Sequence, residues 1–291
     1  MLLSNRLGRT ALWVAVFALA LAPSVGAAIR VNGSTTVTPV VVEAARALDA
    51  DESLEVQVDT AGGSSGGIAA LGEGRVEIAM SSRPLNHRDR ERYPETSFVP
   101  TPIGTDALAI VVSRDVWDGG VRAISRQQAR ELYEGKIKNW SALGGPDRRV
   151  VFFNKEPGRG TWEVFANWLY GDSDNAPLVN HREVGSNEEA RNKVGSTPGA
   201  VTQLSAAWAD GWRVFALSIQ TTGGRGIAPS EETTFDGTYP LARPLFLLTD
   251  GTPSGGAKRL IDFILGPRGS EIMRRHGYLP LRASRVEVPS P

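Results

Sequence analysis

Three loops in the sequence place hydroxyl side chains and glycines directly before a predicted helix. They read NGSTTVTP (32–39), DTAGGSSGGIAAL (59–71) and NKEPGRGTWEVF (154–165). The first turn of a helix has amide groups without intrahelical acceptors and a partial positive charge, so it favours an anion. Glycine lets the backbone approach a ligand closely, and serine or threonine adds a donor. One such loop is better explained as an ordinary helix cap, but three in one chain favour an anion-binding site.

A fourth polar segment, MSSRPLN (80–86), follows an apolar run of strand length. It places Ser81, Ser82 and Arg83 at the carboxyl end of a predicted strand. The guanidinium of Arg83 could offer a forked, permanently charged donor set to an oxyanion. A surface salt bridge explains the same residue, and the sequence leaves the two interpretations open.

The composition bounds the class of protein. The chain has 291 residues, 41% of them hydrophobic and 22% charged, with 32 basic and 32 acidic side chains. This balance gives no indication of a nucleic-acid-binding protein, which is usually basic. There are no cysteines, so the domain must depend on a full-sized core rather than on disulfides.

The first 27 residues have the layout of a secretory signal peptide. Arg6 and Arg9 precede an apolar run, Ala11–Ala22, and small residues lead to a predicted cleavage after Ala27. The run is short for a transmembrane helix, although an uncleaved anchor is the alternative. A lipid anchor would need a cysteine at the cleavage site. We therefore expect a soluble protein in the periplasm.

Short apolar runs alternate with helical patterns along the rest of the chain, which predicts an α/β fold with parallel strands. The predicted strands are 54–59, 76–80, 107–113, 148–154 and 243–249. The predicted helices are 38–49, 67–71, 126–133, 161–170, 188–194 and 256–265. In open α/β sheets, ligands bind beyond the carboxyl ends of the strands, where the polar loops above are predicted to lie.

Several segments in order carry a resemblance to a known family. They are GSTTVTP, GGSSGGIAALGEGRVEIAMSSRPL, LYEGKIKNWSALGG, GRGTWEVF, PSEETTFDGTYPLARPLFL and FILGPRGSEIMRRHGYLPL. Over about residues 31–281 the chain resembles the phosphate-binding proteins of bacterial phosphate ABC transporters. The resemblance implies a class II periplasmic binding protein fold, with two α/β lobes joined by two hinge strands. Lobe one would be 29–105 plus 242–291, lobe two 112–239, and the hinge crossovers 105–112 and 239–248.

The resemblance also implies a function. The protein would capture inorganic phosphate between its lobes and deliver it to an inner-membrane ABC permease, as a monomer without cofactor, metal or catalysis. The implied ligand-binding residues are Ser34, Thr35, Thr36, Ser64, Ser65, Ser82, Gly160 and Thr161, with a cation from Arg83, Lys155 or Arg159.

Two departures from the family pattern concern selectivity. Lys155 stands where the family has an arginine, and Arg159 replaces a serine, so the sequence does not decide which cation contacts the anion. Long-form members have an aspartate where this chain has Ser82; that carboxylate accepts the proton of hydrogen phosphate and rejects sulfate. Asp106 could replace this acceptor or be a turn residue. The implied ligand is thus a tetrahedral oxyanion, and a sensor or binding protein for another such anion is an alternative.

An enzyme is the competing class. GGSSG (62–66) fits the G-x-S-x-G pattern of serine hydrolases, with Ser64 as nucleophile and His276 as a candidate base. The histidines, His87, His181 and His276, instead look structural or exposed. A phosphate-binding P-loop pattern is absent from the sequence, and three scattered histidines without cysteine do not indicate a metal site.

Overall fold

The computed structural model describes residues 28–177, 179 and 182–281. The predicted signal peptide, 1–27, and His181 lie outside these residues. Within the described part, no helix has the length and apolar character needed to cross a membrane.

Strands and helices alternate along most of the described chain. The strands are β1 Ile29–Gly33, β2 Val56–Asp59, β3 Ile78–Ser81, β4 Phe98–Ser113, β5 Ala123–Ser125, β6 Val151–Lys155, β7 Arg182–Val184, β8 Ala200–Ser205, β9 Val214–Ala216, β10 Ser218–Gln220, β11 Gly226–Ile227, β12 Ala242–Asp250 and β13 Leu279–Pro280. The helices are α1 Thr38–Glu52, α2 Gly63–Gly72, α3 His87–Arg92, α4 Arg114–Asp118, α5 Arg126–Tyr133, α6 Gly160–Tyr170, α7 Asn187–Ser196, α8 Glu231–Phe235, α9 Gly255–Leu265 and α10 Pro267–Arg275.

The main sheet has the order β2-β1-β3-β12-β4-β8-β6-β7. It is mixed, whereas the sequence predicted parallel sheets: β1, β2 and β3 run parallel, but β12 is antiparallel to both β3 and β4. The first part of β4 pairs with β12 and its last part with β8 and β9. One long strand therefore runs from one half of the sheet into the other.

The helix after the first polar loop forms for a clear reason. Val37, Val40, Val41, Ala44 and Leu48 recur at helical spacing, and all are buried against the first half of the sheet. Burial of one such aliphatic side chain contributes roughly 1.5–3 kcal/mol. The predicted start of α1 at residue 38 agrees with the structure.

Helix α2 begins four residues before its predicted start at residue 67. Glycine and serine are poor helix formers, so GGSS was predicted as a loop. In the structure Gly63, Ser64 and Gly67 are buried. A Cβ at Gly67 would lie 2.5 Å from the Asn32 carbonyl oxygen, so close packing on β1 decides the local structure and brings Ser64 into the first helical turn.

Separate clusters of buried apolar residues pack against the two halves of the sheet. One group includes Val31, Leu48 and Leu260, and the other includes Trp140 and Phe165. This arrangement of a mixed α/β sheet with a core on each side of the long strand β4 is the two-lobed fold that the sequence predicted.

Candidate functional site

A small cavity gathers residues from all three polar loops at the carboxyl ends of strands. Its volume is about 10 Å³, far below the roughly 300–1,000 Å³ of pockets for drug-sized ligands. We call the segments before α1, at the start of α2 and after β3 the first wall, and those after β6, at the start of α6 and at the start of α7 the second wall. The lining residues are Ser34, Thr35, Gly63, Ser64, Ser82, Lys155, Arg159, Gly160, Thr161, Gly185 and Asn187.

The first wall is a tight cluster of hydroxyl groups. The Ser82 amide donates to Ser64 Oγ at 3.2 Å, and the two serine oxygens lie 3.5 Å apart. The Thr36 amide donates to Ser34 Oγ at 3.2 Å. Ser34, Ser64 and Ser82 are at most 3% exposed. A ligand that binds here would therefore lose its hydrogen bonds to water and gain hydrogen bonds from these hydroxyl groups.

The second wall presents the first turn of α6. Within the described residues, its N-cap position has no side-chain cap, so the leading amides of the helix remain available as donors. A Cβ on Gly160 would lie 2.5 Å from Ser64 Oγ and 2.7 Å from Ser82 Oγ. The two walls therefore meet at this glycine, where a larger side chain would overlap the two serine hydroxyls.

Lys155 places a cation in the cavity. It is 1% exposed, and its Nζ donates to the carbonyl oxygens of Gly185 at 3.1 Å and Ser186 at 2.7 Å. Burial, followed by the nearby charges of Arg159 and Arg243, lowers the pKa of Lys155 to about 7. An ammonium has three donors, so one N–H remains for a ligand.

Arg159 also lines the cavity, but its charge is partly neutralised. Its Nε and Nη2 donate to the Glu156 carboxylate at 2.9 and 2.7 Å, and Nη1 lies 3.5 Å from the Thr60 carbonyl oxygen. The side chain thus reaches across to the first wall.

Arg83 does not line the cavity, although the sequence suggested it as a donor to an anion. Its Nη1 and Nη2 donate to Asp89 at 2.5 and 3.0 Å, and Nη2 also donates to Ser65 Oγ at 2.9 Å. Nε lies 2.5 Å from Glu163 Oε2, as an ion pair without the angle of a hydrogen bond. Its guanidinium therefore joins the loop after β3 to helix α6.

Other predicted ligand-binding residues lie beside the cavity. The hydroxyl of Ser65 is bonded to Arg83, and Thr36 Oγ1 accepts from Asn187 Nδ2 at 3.0 Å. Asp106, considered as a substitute acceptor, is buried and turned away: Arg243 and Ser205 bind both of its oxygens. Of the described residues that line the cavity, none is a carboxylate.

The sequence reasoning missed Asn187, Gly185 and Arg243. Asn187 is 1% exposed and begins α7. It lies in VGSNEEA (184–190), a further strand-to-helix segment with a glycine and a serine before the helix, so its composition resembles that of the three polar loops. Arg243 lies within an apolar strand pattern, and this pattern gave no indication of where the arginine side chain would be directed.

The geometry offers no support for a serine hydrolase. Ser64 Oγ accepts from the Ser82 amide, while His276 Nε2 lies 2.8 Å from Glu43 Oε2 on another helix. His87 is exposed at the start of α3. In the part of the chain that the structure describes, no cluster of His, Asp or Glu could hold a metal ion.

The fold and cavity are those of a solute-binding protein, and the chain belongs to the PBP superfamily, whose domain matches residues 20–268. The chain is similar to the phosphate-binding protein PstS of Bacillus subtilis (strain 168), with 26% identity over 260 residues, or 89% of this chain and 82% of that protein. PstS of Borreliella burgdorferi is 27% identical, over 87% of this chain and 90% of that protein.

Solved structures show the same fold. An ABC-type phosphate transport receptor from Vibrio cholerae superimposes with a TM-score of 0.67 and 26% identity, covering 86% of this chain and 99% of that chain. A Clostridium perfringens protein solved with bound phosphate superimposes with a TM-score of 0.78 and 24% identity, covering 88% and 100%. Both curated relatives are named as phosphate-binding proteins.

Proposed function

We propose that this protein binds inorganic phosphate in the small cavity and delivers it to an ABC transporter. One observation carries the proposal: the cavity contains Lys155 and the amides and hydroxyls of helix first turns, and its described lining includes no carboxylate. Such a set of donors suits a small multivalent anion. The names of the relatives supply the identity of that anion, and the similarity to the ABC-type phosphate transport receptor from Vibrio cholerae supplies the partner.

The ligand-binding residues that we propose are those on the two walls. Lys155 is the cation that we assign to the anion, because Arg83 and Arg159 are bonded to carboxylates. Among the residues suggested by the sequence, Ser34, Thr35, Ser64, Ser82, Gly160 and Thr161 keep their proposed role, and Asn187 joins them.

The wider role follows from the same family. We propose an exported, periplasmic monomer without catalytic activity, whose lobes 29–105 plus 242–281 and 112–239 close about the strands β4 and β12. The partner would be a membrane permease that recognises the closed form, and closure about such a hinge is the expected motion.

Another tetrahedral oxyanion is a second candidate ligand, because Ser82 replaces the acceptor carboxylate and Asp106 is engaged elsewhere. A hydroxyl can donate as well as accept, so it rejects unprotonated sulfate less strongly than a carboxylate does.

Calorimetric titration of the ligand-stripped protein with phosphate, sulfate and arsenate tests these assignments. We expect phosphate to bind with the highest affinity and arsenate, which also carries a proton, to follow. A sulfate affinity equal to that of phosphate would contradict the assignment to phosphate and leave an unselective oxyanion site.

A second expectation concerns the contacts between the walls. Glu163 Oε1 accepts from Asn86 Nδ2 at 2.7 Å, and Oε2 pairs with Arg83. Replacing Glu163 by Gln leaves Arg83 without this buried carboxylate, so we expect about tenfold weaker phosphate binding, mainly through faster release. Stopped-flow measurement of phosphate release would show it.

The matched control is Glu77→Gln, which removes an exposed pair with Arg30 far from the cavity. This variant should release phosphate at the unmodified rate. If both variants release it equally fast, the Arg83–Glu163 contact does not hold the walls together.

A further inference from the structure

Arg243 contacts both walls of the cavity from a buried position. It is the second residue of β12 and lies opposite Asp106 of β4. Its Nε and Nη2 donate to Asp106 Oδ2 at 2.9 and 2.7 Å, and both side chains are at most 2% exposed. Ser205 Oγ donates to Asp106 Oδ1 at 2.6 Å. The guanidinium is therefore fixed on the side that faces β4.

Two further donors of this guanidinium reach threonine hydroxyls. Nη1 donates to Thr161 Oγ1 at 3.0 Å, and Nη2 donates to Thr36 Oγ1 at 3.3 Å. Thr36 belongs to the first wall and Thr161 to the first turn of α6 on the second wall. One side chain on the strand between the lobes thus joins the two walls.

These contacts determine what the hydroxyls can do. A hydroxyl has two acceptor lone pairs and one proton to donate. Thr36 Oγ1 accepts from Arg243 and also from Asn187 Nδ2, so both of its lone pairs are engaged. Thr161 Oγ1 accepts from Arg243, which leaves its proton for a ligand in the cavity that it lines. A bond from a charged donor also polarises the hydroxyl and strengthens it as a donor.

We propose that Arg243 is a positioning residue for anion binding, which directs the Thr161 hydroxyl to donate to the anion. This inference rests on the proposed function, because it requires an anion in the cavity. Arg243 acts through Thr161, since Thr161 lines the cavity and Arg243 does not.

A purely structural role for the pair is the alternative to test. A buried ion pair often adds little stability compared with neutral side chains, whereas removal of one partner leaves an uncompensated charge. The informative change is therefore D106N combined with R243Q, which removes both charges and leaves two neutral polar side chains at these positions.

The experiment is a cycle of four proteins titrated with phosphate: the unmodified chain, D106N/R243Q, T161V and the triple variant. We expect D106N/R243Q to weaken binding by about 10- to 30-fold in the unmodified background and by less than about threefold in the T161V background. In a T202V background, which alters a buried threonine outside the cavity, the full loss should persist.

Equal losses in the T161V and unmodified backgrounds would overturn the role of Arg243 while leaving phosphate binding intact. If the thermal unfolding of D106N/R243Q shows that it does not fold, R243K replaces it in the cycle, because it keeps a charge beside Asp106 but lacks the planar fork; the same criterion then applies. If the unmodified chain does not bind phosphate, the cycle is run with sulfate or arsenate, and binding of none of the three overturns both proposals.

Discussion

Replacement of Lys155 by methionine is expected to weaken phosphate binding by about 10- to 100-fold, because a charge-assisted hydrogen bond contributes roughly 1.5–3 kcal/mol. Two donors of Nζ bind the carbonyl oxygens of Gly185 and Ser186, and the third is free for the anion. Methionine keeps the length of the side chain and removes its charge. Titration calorimetry near neutral pH measures the loss.

The pH dependence of binding gives this prediction a second readout. The pKa of Lys155 is lowered to about 7, so the side chain is charged below this pH and neutral above it. An anion favours the charged form, and binding above pH 7 must therefore take up a proton. We expect affinity to fall by up to about tenfold per pH unit above 7, and the binding enthalpy to depend on the ionisation enthalpy of the buffer.

The Lys155→Met variant should lose this proton uptake, as well as affinity. Measurements above about pH 8 avoid the main change in the charge of phosphate itself. Lys138→Met, at an exposed lysine, is the matched control and should keep both the affinity and the uptake. Unchanged proton uptake in the Lys155 variant would assign the linkage to another group and remove Lys155 from the site.

Gly160→Ala is expected to have an effect of similar size, about a 10- to 100-fold loss of phosphate affinity. The added methyl group would lie 2.5 Å from Ser64 Oγ and 2.7 Å from Ser82 Oγ, well inside van der Waals contact. The walls could not close fully on the anion. Thermal unfolding of the ligand-free variant measures separately whether the added methyl group also destabilises the fold.

Gly223→Ala is the matched control, since a Cβ there meets no atom within 4 Å. It should bind phosphate as the unmodified chain does. Should Gly160→Ala bind as tightly as this control, the close approach of α6 to the two serines would not be required in the bound state.

The sequence predicted the fold well where hydrophobic periodicity was strong. Val40, Val41 and Ala44 lie in the helix predicted for 38–49. Four of the five predicted strands agree with β2, β3, β6 and β12 to within three residues at each end, whereas β4 begins nine residues before its predicted start at 107 and β1 and β8 were not predicted. The sequence failed at α2, where tertiary packing overrides the low helix propensity of Gly63 and Ser64. It also predicted parallel strands only, because a run such as β12 is equally apolar in either direction.

The sequence identified the loops that form the site but not the directions of their side chains. The composition of the loops before the helices indicated where an anion would bind, and the resemblance to the phosphate-binding family implied Ser64 and Thr161 within them. The orientation of Arg83 could not be predicted, because it depends on carboxylates at positions 89 and 163 that only the folded chain brings near. The role of Arg243 could not be predicted for the same reason. Its partner Asp106 is 137 residues away in the sequence, and only the pairing of β12 with β4 brings the two side chains together.

The position of β12 has a consequence for the order of folding. This strand begins at Ala242, late in the chain, yet it lies between β3 and β4 in the centre of the sheet. Until it has been synthesised, β3 and β4 have no common neighbour, and the first core lacks Leu245 and Leu247. Long-range pairing of this kind makes folding slow. The first half of the sheet therefore stays incomplete until this late strand has been synthesised, a delay that is compatible with the proposed export of the chain.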